Sequence, residues 1–176
     1  EPIQGGSVVH IPPAGYLKRA KALCEEHEVL FIADEIQSGL GRSGKLFACD
    51  YENVKPDVMI IGKALSGGCY PVSAVLASAD ILSVFRPGEH GSTYGGNPLA
   101  CAVAREAMKV LVEEDLIENS ARLGAYFQEK LRAIASPFVQ EVRGRGLFIG
   151  VELKPEAGGA RRVCAALMLP LITISP

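Results

Sequence analysis

Three patterns are missing from this 176-residue sequence, and each absence argues against a class of function. No run of five or more basic residues occurs and the formal net charge is -2, which disfavours a nucleic-acid partner. No apolar stretch approaches the roughly eighteen residues that a membrane-spanning helix requires, so we expect no membrane segment. No C-x-x-C pair or histidine cluster occurs, which disfavours a disulfide framework and a metal site.

The five cysteines are widely spaced, as is common in proteins of a reducing compartment. We therefore expect a cytoplasmic protein, or one of the mitochondrial matrix if the source is eukaryotic. The sequence opens at Glu1 without a basic and apolar leader, so we expect that any targeting signal has been removed or was never part of it. Apolar residues make up 48% and charged residues 22% of the chain, a balance typical of a folded globular protein.

Short apolar runs alternate with helical patterns along most of the chain. The runs predict strands at 29–33, 58–61, 72–77, 139–142 and 147–153, and we expect the first to be buried on both faces. Helical spacing predicts helices at 14–28, 98 to about 113 and 116–134. The apolar face of the last helix is predicted to consist of Leu116, Leu123, Phe127, Leu131 and Ile134. This order of elements indicates an α/β fold with a largely parallel sheet, followed by a smaller α+β part.

Two polar residues follow buried strands directly. Asp34 comes after the apolar run that ends at Ala33, and Lys63 comes after the run that ends at Ile61. The carboxyl ends of strands in open α/β sheets are where ligands bind, and neighbouring strands lie about 4.8 Å apart. Asp34 and Lys63 are therefore predicted to flank one small ligand.

The chemistry of these two side chains is complementary. A lysine beside apolar surface has its ammonium form disfavoured, which frees the amine for Schiff-base formation. A carboxylate beside a pyridine nitrogen keeps that nitrogen protonated. Either residue alone is better explained without a site, Asp34 as a turn or cap residue and Lys63 as a solvated surface charge. The pair at two strand ends, with Gln37 one turn beyond Asp34, favours a site.

A glycine-rich segment at 90–97 precedes the helix start at Asn97 and Pro98. Its glycines allow backbone N–H groups to approach an anion, and Ser92 and Thr93 add hydroxyl donors. Because a helix N-terminus favours negative charge, this segment is a candidate phosphate site. The alternative is a set of tight turns.

A second glycine-rich segment, Gly39-Leu40-Gly41-Arg42-Ser43-Gly44-Lys45-Leu46, resembles two nucleotide-binding patterns. A P-loop requires Ser or Thr after its lysine, and this sequence has Leu46 there. A dinucleotide loop should follow a strand directly and open a helix, whereas five residues intervene after Ala33. Nucleotide binding is therefore a minor alternative.

Three segments together resemble the signature of the class III aminotransferases: Asp34-Glu35-Ile36-Gln37, Gly62-Lys63-Ala64-Leu65 and Gly91-Ser92-Thr93-Tyr94-Gly95-Gly96-Asn97-Pro98. The resemblance extends from residue 1 to about residue 168. It implies part of the large domain of a fold-type I transferase at 1–104, with a mainly parallel sheet that binds pyridoxal 5'-phosphate. Residues 105–176 would then be the linking helix and an incomplete smaller α+β domain.

The resemblance also implies a role for each candidate residue. Lys63 would hold the cofactor covalently and move the proton between substrate and cofactor, while Asp34 would pair with the pyridinium nitrogen. Gln37 would hydrogen-bond the phenolic oxygen, and Ser92 and Thr93 would bind the phosphate in the neighbouring subunit of a homodimer. The substrates would be an amino acid, with ornithine the first candidate, and a 2-oxo acid.

Some features depart from the family pattern. Gly6 stands where members usually have a glutamate that pairs with a substrate-reading arginine, and that arginine belongs to a segment outside this sequence. Family chains are more than twice as long, and residues 169–176 resemble nothing in the pattern. Acetylornithine or 4-aminobutyrate therefore remain alternative amino donors. A truncated polypeptide without catalysis is the alternative of a different class.

Overall fold

The computed structural model describes the backbone of residues 1–6 and 9–174, and side chains through residue 168 outside that gap. Three short strands form one sheet: β1 (Ile32–Asp34), β2 (Val58–Ile61) and β3 (Ala74–Ala77). β1 and β2 are parallel, whereas β2 and β3 are antiparallel. The α/β class is confirmed, but the described sheet is mixed because the 62–73 connection contains one 3-10 turn instead of a crossover helix.

The first helix, α1 (Tyr16–Glu26), confirms the prediction with slightly narrower bounds. Gly15, the N-cap residue directly before the helix, has no side chain that could cap it. The Glu52 carboxylate replaces that cap, since it accepts hydrogen bonds from the backbone N–H groups of Gly15 (2.9 Å) and Lys18 (3.1 Å). The negative charge of this carboxylate also interacts favourably with the helix dipole at the N-terminus.

The prediction of a fully buried strand at 29–33 is wrong at its first half. Val29 and Leu30 are 58% and 51% exposed, and the strand begins only at Ile32, which is 56% exposed. The N–H of Val29 donates to the carbonyl of Cys24 (2.8 Å), so this residue belongs to the exit from α1. Within the described residues β1 pairs only with β2, which leaves one of its sides without a neighbouring strand.

Asp57 aligns the first two strands. Its carboxylate accepts hydrogen bonds from the backbone N–H of Phe31 (2.8 Å) and from Nζ of Lys21 (2.8 Å). The Lys21 hydrogen bond, followed by the Phe31 N–H, lowers the pKa of Asp57 below its ordinary value. The residue just before β2 is thereby joined both to the residue just before β1 and to α1.

Two long helices follow the sheet, α3 (Pro98–Glu113) and α4 (Leu116–Ala133), after a short helix α2 (Ala79–Leu82). Asn97 caps α3 as predicted, because its Oδ1 accepts a hydrogen bond from the N–H of Ala100 (2.9 Å). The predicted face of α4 is wrong in part. Phe127 and Ile134 are 50% and 66% exposed.

The buried stripe of α4 consists instead of Ser120, Gly124 and Gln128, spaced four residues apart. This face lies against the turn of the hairpin formed by β4 (Val139–Arg145) and β5 (Phe148–Leu153). A Cβ on Gly124 would overlap the backbone carbonyl of Gly146 and lie 2.7 Å from its Cα. Gly124 is required on this face because the two backbones approach so closely there.

The last helix, α5 (Ala160–Ile174), includes most of the segment that the sequence marks as atypical. That segment is 169–176, whose side chains lie outside the described residues, as do residues 175 and 176 altogether. Near the start of the chain, Gln4 and His10 form an isolated antiparallel bridge. Among the described residues no helix has the length and apolar character needed to cross a membrane.

Buried apolar residues form three clusters, and each cluster includes one residue of the segment 35–49. The first contains Ile3, Val9, Ala48 and Phe148; the second contains Leu17, Ala33, Cys49 and Val54; the third contains Leu40, Ile61 and Leu65. Ala48 and Cys49 are neighbours in the chain and belong to different clusters. The 3-10 helix that they open (Ala48–Glu52) therefore joins the N-terminal segment and hairpin to the sheet.

The close approach at Gly124 predicts a reversal of ordinary helix propensity. In an exposed helix a change from Gly to Ala stabilises by about 1 kcal/mol, whereas overpacking typically costs about 1–3 kcal/mol. We expect Gly124→Ala to lower the thermal unfolding midpoint of the full-length protein. The matched control is Ala125→Gly at the next, exposed position, where the only effect is the loss of helix propensity. An unchanged or raised unfolding midpoint for Gly124→Ala would contradict the close packing at Gly124.

Cys49 is predicted to be an inert thiol. It is completely buried, and burial together with the nearby Glu35 charge raises its pKa to about 12. The thiolate is the reactive form, so almost none is present at pH 8. In native protein we expect iodoacetamide to leave Cys49 unmodified by peptide mass spectrometry, and to modify it after unfolding in urea. Rapid native labelling would show that this core opens.

Candidate functional site

Asp34 and Lys63 lie at the carboxyl ends of the two parallel strands. Asp34 is the last residue of β1 and stands opposite Ile60 of β2, and Lys63 follows three residues later. The Asp34 side chain is half-buried, and its Oδ1 accepts a hydrogen bond from the N–H of Ile36 (3.0 Å). The two residues are thus brought to the same edge of the sheet, as the strand pattern predicts.

The backbone of Lys63 is in the left-handed region, with a φ of 46°. Such a conformation costs a residue other than glycine on the order of 1 kcal/mol and is concentrated at functional sites. It is held by a 3-10 turn in which the Leu65 N–H donates to the Gly62 carbonyl (3.1 Å) and Ser66 Oγ donates to the Lys63 carbonyl (3.3 Å). The lysine side chain remains exposed beyond the strand end.

Lys63 lines an open cavity of about 940 Å³. The cavity is also lined by Tyr70, Val72, Ser73, Ser92, Tyr94 and Asn97, among others. Apolar and aromatic surface is therefore combined with one amine and several hydroxyl groups. Such a composition suits a flat, partly aromatic ligand with an anionic group.

Ser92 reaches this cavity within a tight loop before α3. Its Oγ accepts a hydrogen bond from the N–H of Gly95 (2.9 Å), and Asn97 Nδ2 donates to the carbonyl of Tyr94 (2.8 Å). The loop is thus both a set of tight turns and a helix N-terminus. The structure is therefore compatible with a phosphate site as well as with the alternative of tight turns. Thr93 is exposed and is not among the residues that line the cavity.

Gln37 lies apart from the cavity. Its Nε2 donates to Oε1 of Glu1 (3.0 Å), and it packs against Gly5. A Cβ on Gly5 would lie 2.9 Å from Cδ of Gln37 and 2.7 Å from Cζ of Phe148, so a side chain at this position would displace both of them. Asp34 and Gln37 are near each other in the chain, but neither lines the cavity that contains Lys63 and Ser92.

Glu35 is a buried polar residue that the sequence reasoning missed. Its side chain is completely buried, and both carboxylate oxygens accept hydrogen bonds, from Ser38 Oγ (2.5 Å) and the Cys49 N–H (2.8 Å). A signal was available, since alternation along a strand places neighbouring side chains on opposite faces. If Asp34 faces a ligand, Glu35 must face the interior.

The glycine-rich segment 39–46 is explained by packing. Gly41 and Gly44 have positive φ angles, and a Cβ on Gly44 would lie 3.1 Å from Cα of Ala121 and 3.2 Å from Cα of Gly146. The N–H groups of Gly39, Gly41, Arg42 and Gly44 all donate to carbonyls of the same region. These amides are therefore occupied, and the structure does not favour a phosphate-binding loop here.

Two further features define the electrostatics around this segment. The Arg145 guanidinium stacks 4.0 Å above the ring of Tyr51, whose hydroxyl donates to the carbonyl of Ser43 (2.7 Å). Burial raises the pKa of the Tyr51 phenol, and the Arg145 charge opposes that rise. Among the described side chains, no group of three His, Cys, Asp or Glu residues is arranged to hold a metal ion.

Comparison with known proteins identifies relatives along almost the whole chain. Residues 1–169 match the family described as Aminotransferase class-III. Ornithine aminotransferase 2 of Staphylococcus aureus (strain Mu50 / ATCC 700699) is 62% identical over 167 residues, which are 95% of this chain and 41% of that protein. The chain therefore spans well under two thirds of the length of the curated relatives that it matches.

Solved structures agree with this similarity. An ornithine aminotransferase from Toxoplasma gondii, described with partial occupancy of PLP at its active site, superposes with a TM-score of 0.86 at 52% identity, covering 89% of this chain and 37% of that one. Acetylornithine aminotransferase from Elizabethkingia anophelis gives a TM-score of 0.89 at 48% identity, with 95% and 45% coverage. The described α/β structure is thus part of a fold-type I domain. This chain belongs to the class III aminotransferase family.

Proposed function

We propose that this chain is part of a pyridoxal-phosphate-dependent aminotransferase that moves the terminal amino group of ornithine to a 2-oxo acid. The observation that carries the proposal is the position of Asp34 and Lys63 at one edge of the sheet, at the ends of paired parallel strands. Such a reaction would belong to proline and arginine metabolism. The 62% identity to an ornithine aminotransferase supports ornithine as the first candidate donor.

The residues present fit pyridoxal phosphate. The cavity beside Lys63 is large enough for a substituted pyridine ring with its phosphate, and it combines aromatic walls with hydroxyl donors. An amine for covalent attachment and a carboxylate for the ring nitrogen both come from the ends of adjacent strands. The glycine-rich loop before α3 adds a helix N-terminus, which favours an anionic group.

Each residue then has a distinct role. When bound, the cofactor supplies an electron sink for the carbon that carries the amino group. Lys63 supplies the amine that binds the cofactor, and later moves a proton at Nζ. Asp34 holds the proton on the ring nitrogen. Gln37 is proposed to donate a hydrogen bond to the phenolic oxygen once its hydrogen bond to the Glu1 carboxylate is broken. Ser92 and Thr93 are proposed to bind the phosphate.

We further propose that the functional enzyme is a homodimer with shared active sites. Residues 82–96 are exposed throughout, and they include Val84, Phe85 and Tyr94 at 70%, 58% and 79% exposure. Exposed apolar groups in a continuous segment are typical of a protein interface. Ser92 lines the Lys63 cavity within one chain. In the proposed dimer, however, Ser92 and Thr93 bind the phosphate of the cofactor that the neighbouring subunit holds.

The proposed domain boundary near residue 104 falls inside α3. This helix packs on the 3-10 turn at Lys63–Ser66 and also on α4. Residues 1–104 would form part of the large domain, and 105–176 would form the linking helix with part of the smaller one. A cytoplasmic location is proposed from the five cysteines, all of which are free thiols.

Replacement of Lys63 tests the proposed reaction directly. In the full-length protein reconstituted with pyridoxal phosphate, we expect the wild type to show visible absorbance from covalently bound cofactor, fixed by borohydride onto the Lys63 peptide. Lys63→Ala should lose that absorbance and at least about a thousandfold in kcat, because amine and proton carrier are both removed. Lys45→Ala, at an exposed lysine of the other glycine-rich segment, is the matched control. Intact transamination in Lys63→Ala would overturn the proposal.

Gly6 allows a test of the amino donor. A Cβ at this position would meet no atom within 4 Å, so a longer side chain can be accommodated. A glutamate here would pair with the substrate-reading arginine and so neutralise a charge that repels the second ammonium group, which ornithine keeps and acetylornithine lacks; one charged hydrogen bond is worth about 1.5–3 kcal/mol. We expect Gly6→Glu to raise the ratio of kcat/KM for ornithine over acetylornithine about tenfold. Gly6→Gln has a side chain of equal size without the charge and should leave this kcat/KM ratio near that of the wild type. Equal ratios in the two variants would show that position 6 does not affect the choice of amino donor.

A further inference from the structure

Glu35 is a completely buried carboxylate that the proposed reaction does not use. Among the ion pairs of the described residues, none involves this side chain. Its two oxygens instead accept one hydrogen bond each, from Ser38 Oγ at 2.5 Å and from the Cys49 N–H at 2.8 Å. Burying a carboxylate is costly unless its oxygens are satisfied, so this arrangement has to be preserved.

The backbone of Glu35 is held as firmly as its side chain. Its N–H donates to the carbonyl of Ile60 (2.9 Å), which continues the parallel pairing one residue beyond β1. Its carbonyl accepts from the N–H of Gly39 (2.9 Å), which closes the following turn. A Cβ on Gly39 would lie 2.8 Å from that carbonyl oxygen, so the turn leaves no room for a side chain there.

These contacts fix both ends of the turn that carries Asp34 and Gln37. Asp34 precedes Glu35 directly, and Ser38, which donates to Glu35, follows Gln37 directly. The Cys49 contact ties the same carboxylate to the 3-10 helix at Ala48–Glu52, which reaches two of the apolar clusters. The turn therefore cannot shift relative to the core without breaking a hydrogen bond to Glu35.

Hydrogen bonds extend this network away from the sheet. Ser43 Oγ donates to the carbonyl of Ser38 (2.8 Å), and the Tyr51 hydroxyl donates to the carbonyl of Ser43 (2.7 Å). Arg145 of the hairpin stacks on Tyr51. Glu35 is therefore the first member of a continuous chain of contacts between the strand end and the hairpin.

We propose that Glu35 is a positioning residue, which holds the backbone of the 34–37 turn in the place from which Asp34 and Gln37 reach the cofactor ring. This inference rests on the proposed function. Glu35 acts through hydrogen-bond geometry, because an acceptor oxygen is required opposite the Cys49 N–H and a polar group is required opposite Ser38 Oγ. Glutamine meets both requirements, since its carbonyl oxygen can accept from the Cys49 N–H and its amide can donate to Ser38 Oγ.

The experiment compares pyridoxal phosphate binding by full-length apo-proteins in equilibrium titrations, followed by absorbance, with thermal unfolding measured in parallel. We expect Glu35→Gln to bind within about threefold of the wild type, since one hydrogen-bond pattern replaces another at small net cost. Glu35→Ala should bind at least about tenfold more weakly, because it leaves a buried N–H and a buried hydroxyl without partners. Ser38→Ala removes one of the two contacts, so we expect at least about a threefold weakening.

Ser120→Ala is the matched control for general destabilisation. Ser120 is also buried, and its hydroxyl donates to the carbonyl of Arg42 (3.2 Å) and accepts from the N–H of Leu147 (3.3 Å). It should lower the unfolding midpoint without changing cofactor affinity. Binding by Glu35→Ala as tight as the wild type, or a loss no larger than that of Ser120→Ala, would overturn the positioning role.

Two further comparisons separate this inference from the proposed function. If Glu35→Ala fails to fold, the pair Ser38→Ala and Ser120→Ala decides the question, and equal affinities in that pair overturn the role. If the wild type binds no pyridoxal phosphate, or if Lys63→Ala still binds it covalently, the proposed function itself fails and the inference falls with it. Covalent binding that requires Lys63 but is indifferent to Glu35 and Ser38 overturns the inference alone.

Discussion

The parallel pairing of β1 and β2 is the constraint on which the candidate site depends. It places Asp34 opposite Ile60, and it continues one residue further through the Glu35 N–H and the Ile60 carbonyl. Lys63 follows on the same edge, after the chain leaves β2 through Gly62. Because the register of a strand decides which face each side chain occupies, a slip of one residue would turn Asp34 inward and Glu35 outward. The chemistry of the edge and the burial of the core are therefore set by the same hydrogen bonds.

The second constraint is the close contact between backbones near Gly44, Gly124 and Gly146. At this point the glycine-rich segment, α4 and the hairpin turn approach within distances that leave no room for a Cβ on Gly124 or Gly146. The carbonyl of Arg42 accepts hydrogen bonds from the N–H of Leu147 (3.1 Å) and from Ser120 Oγ. The glycines that resemble a nucleotide-binding pattern are thus required by packing. Their function is to let the C-terminal half of the chain dock on the segment that follows β1.

Buried polar groups connect these two regions. The contacts run from Glu35 through Ser38, Ser43 and Tyr51 to Arg145, and every buried side-chain nitrogen or oxygen in the described part of the chain has a partner. Satisfied polar networks specify one arrangement more strictly than apolar packing, because a displaced member is left unpaired in a low-dielectric interior. The turn that carries Asp34 and Gln37 is consequently one of the most strongly specified parts of the molecule.

The sequence by itself determined most of the longer elements and the family. Apolar periodicity predicted α1, β2, α3 and strands at the positions of β4 and β5, because burial of one face or one run leaves a local pattern, and the three signature segments indicated the class III aminotransferases. Only the tertiary structure decided that β3 runs antiparallel, that Val29 and Leu30 are exposed, and that α4 buries Ser120, Gly124 and Gln128. It also decided the setting of Glu35, whose partners Ser38 and Cys49 come from different elements. These features depend on contacts between distant segments, and a local pattern of residues does not record how closely two backbones approach.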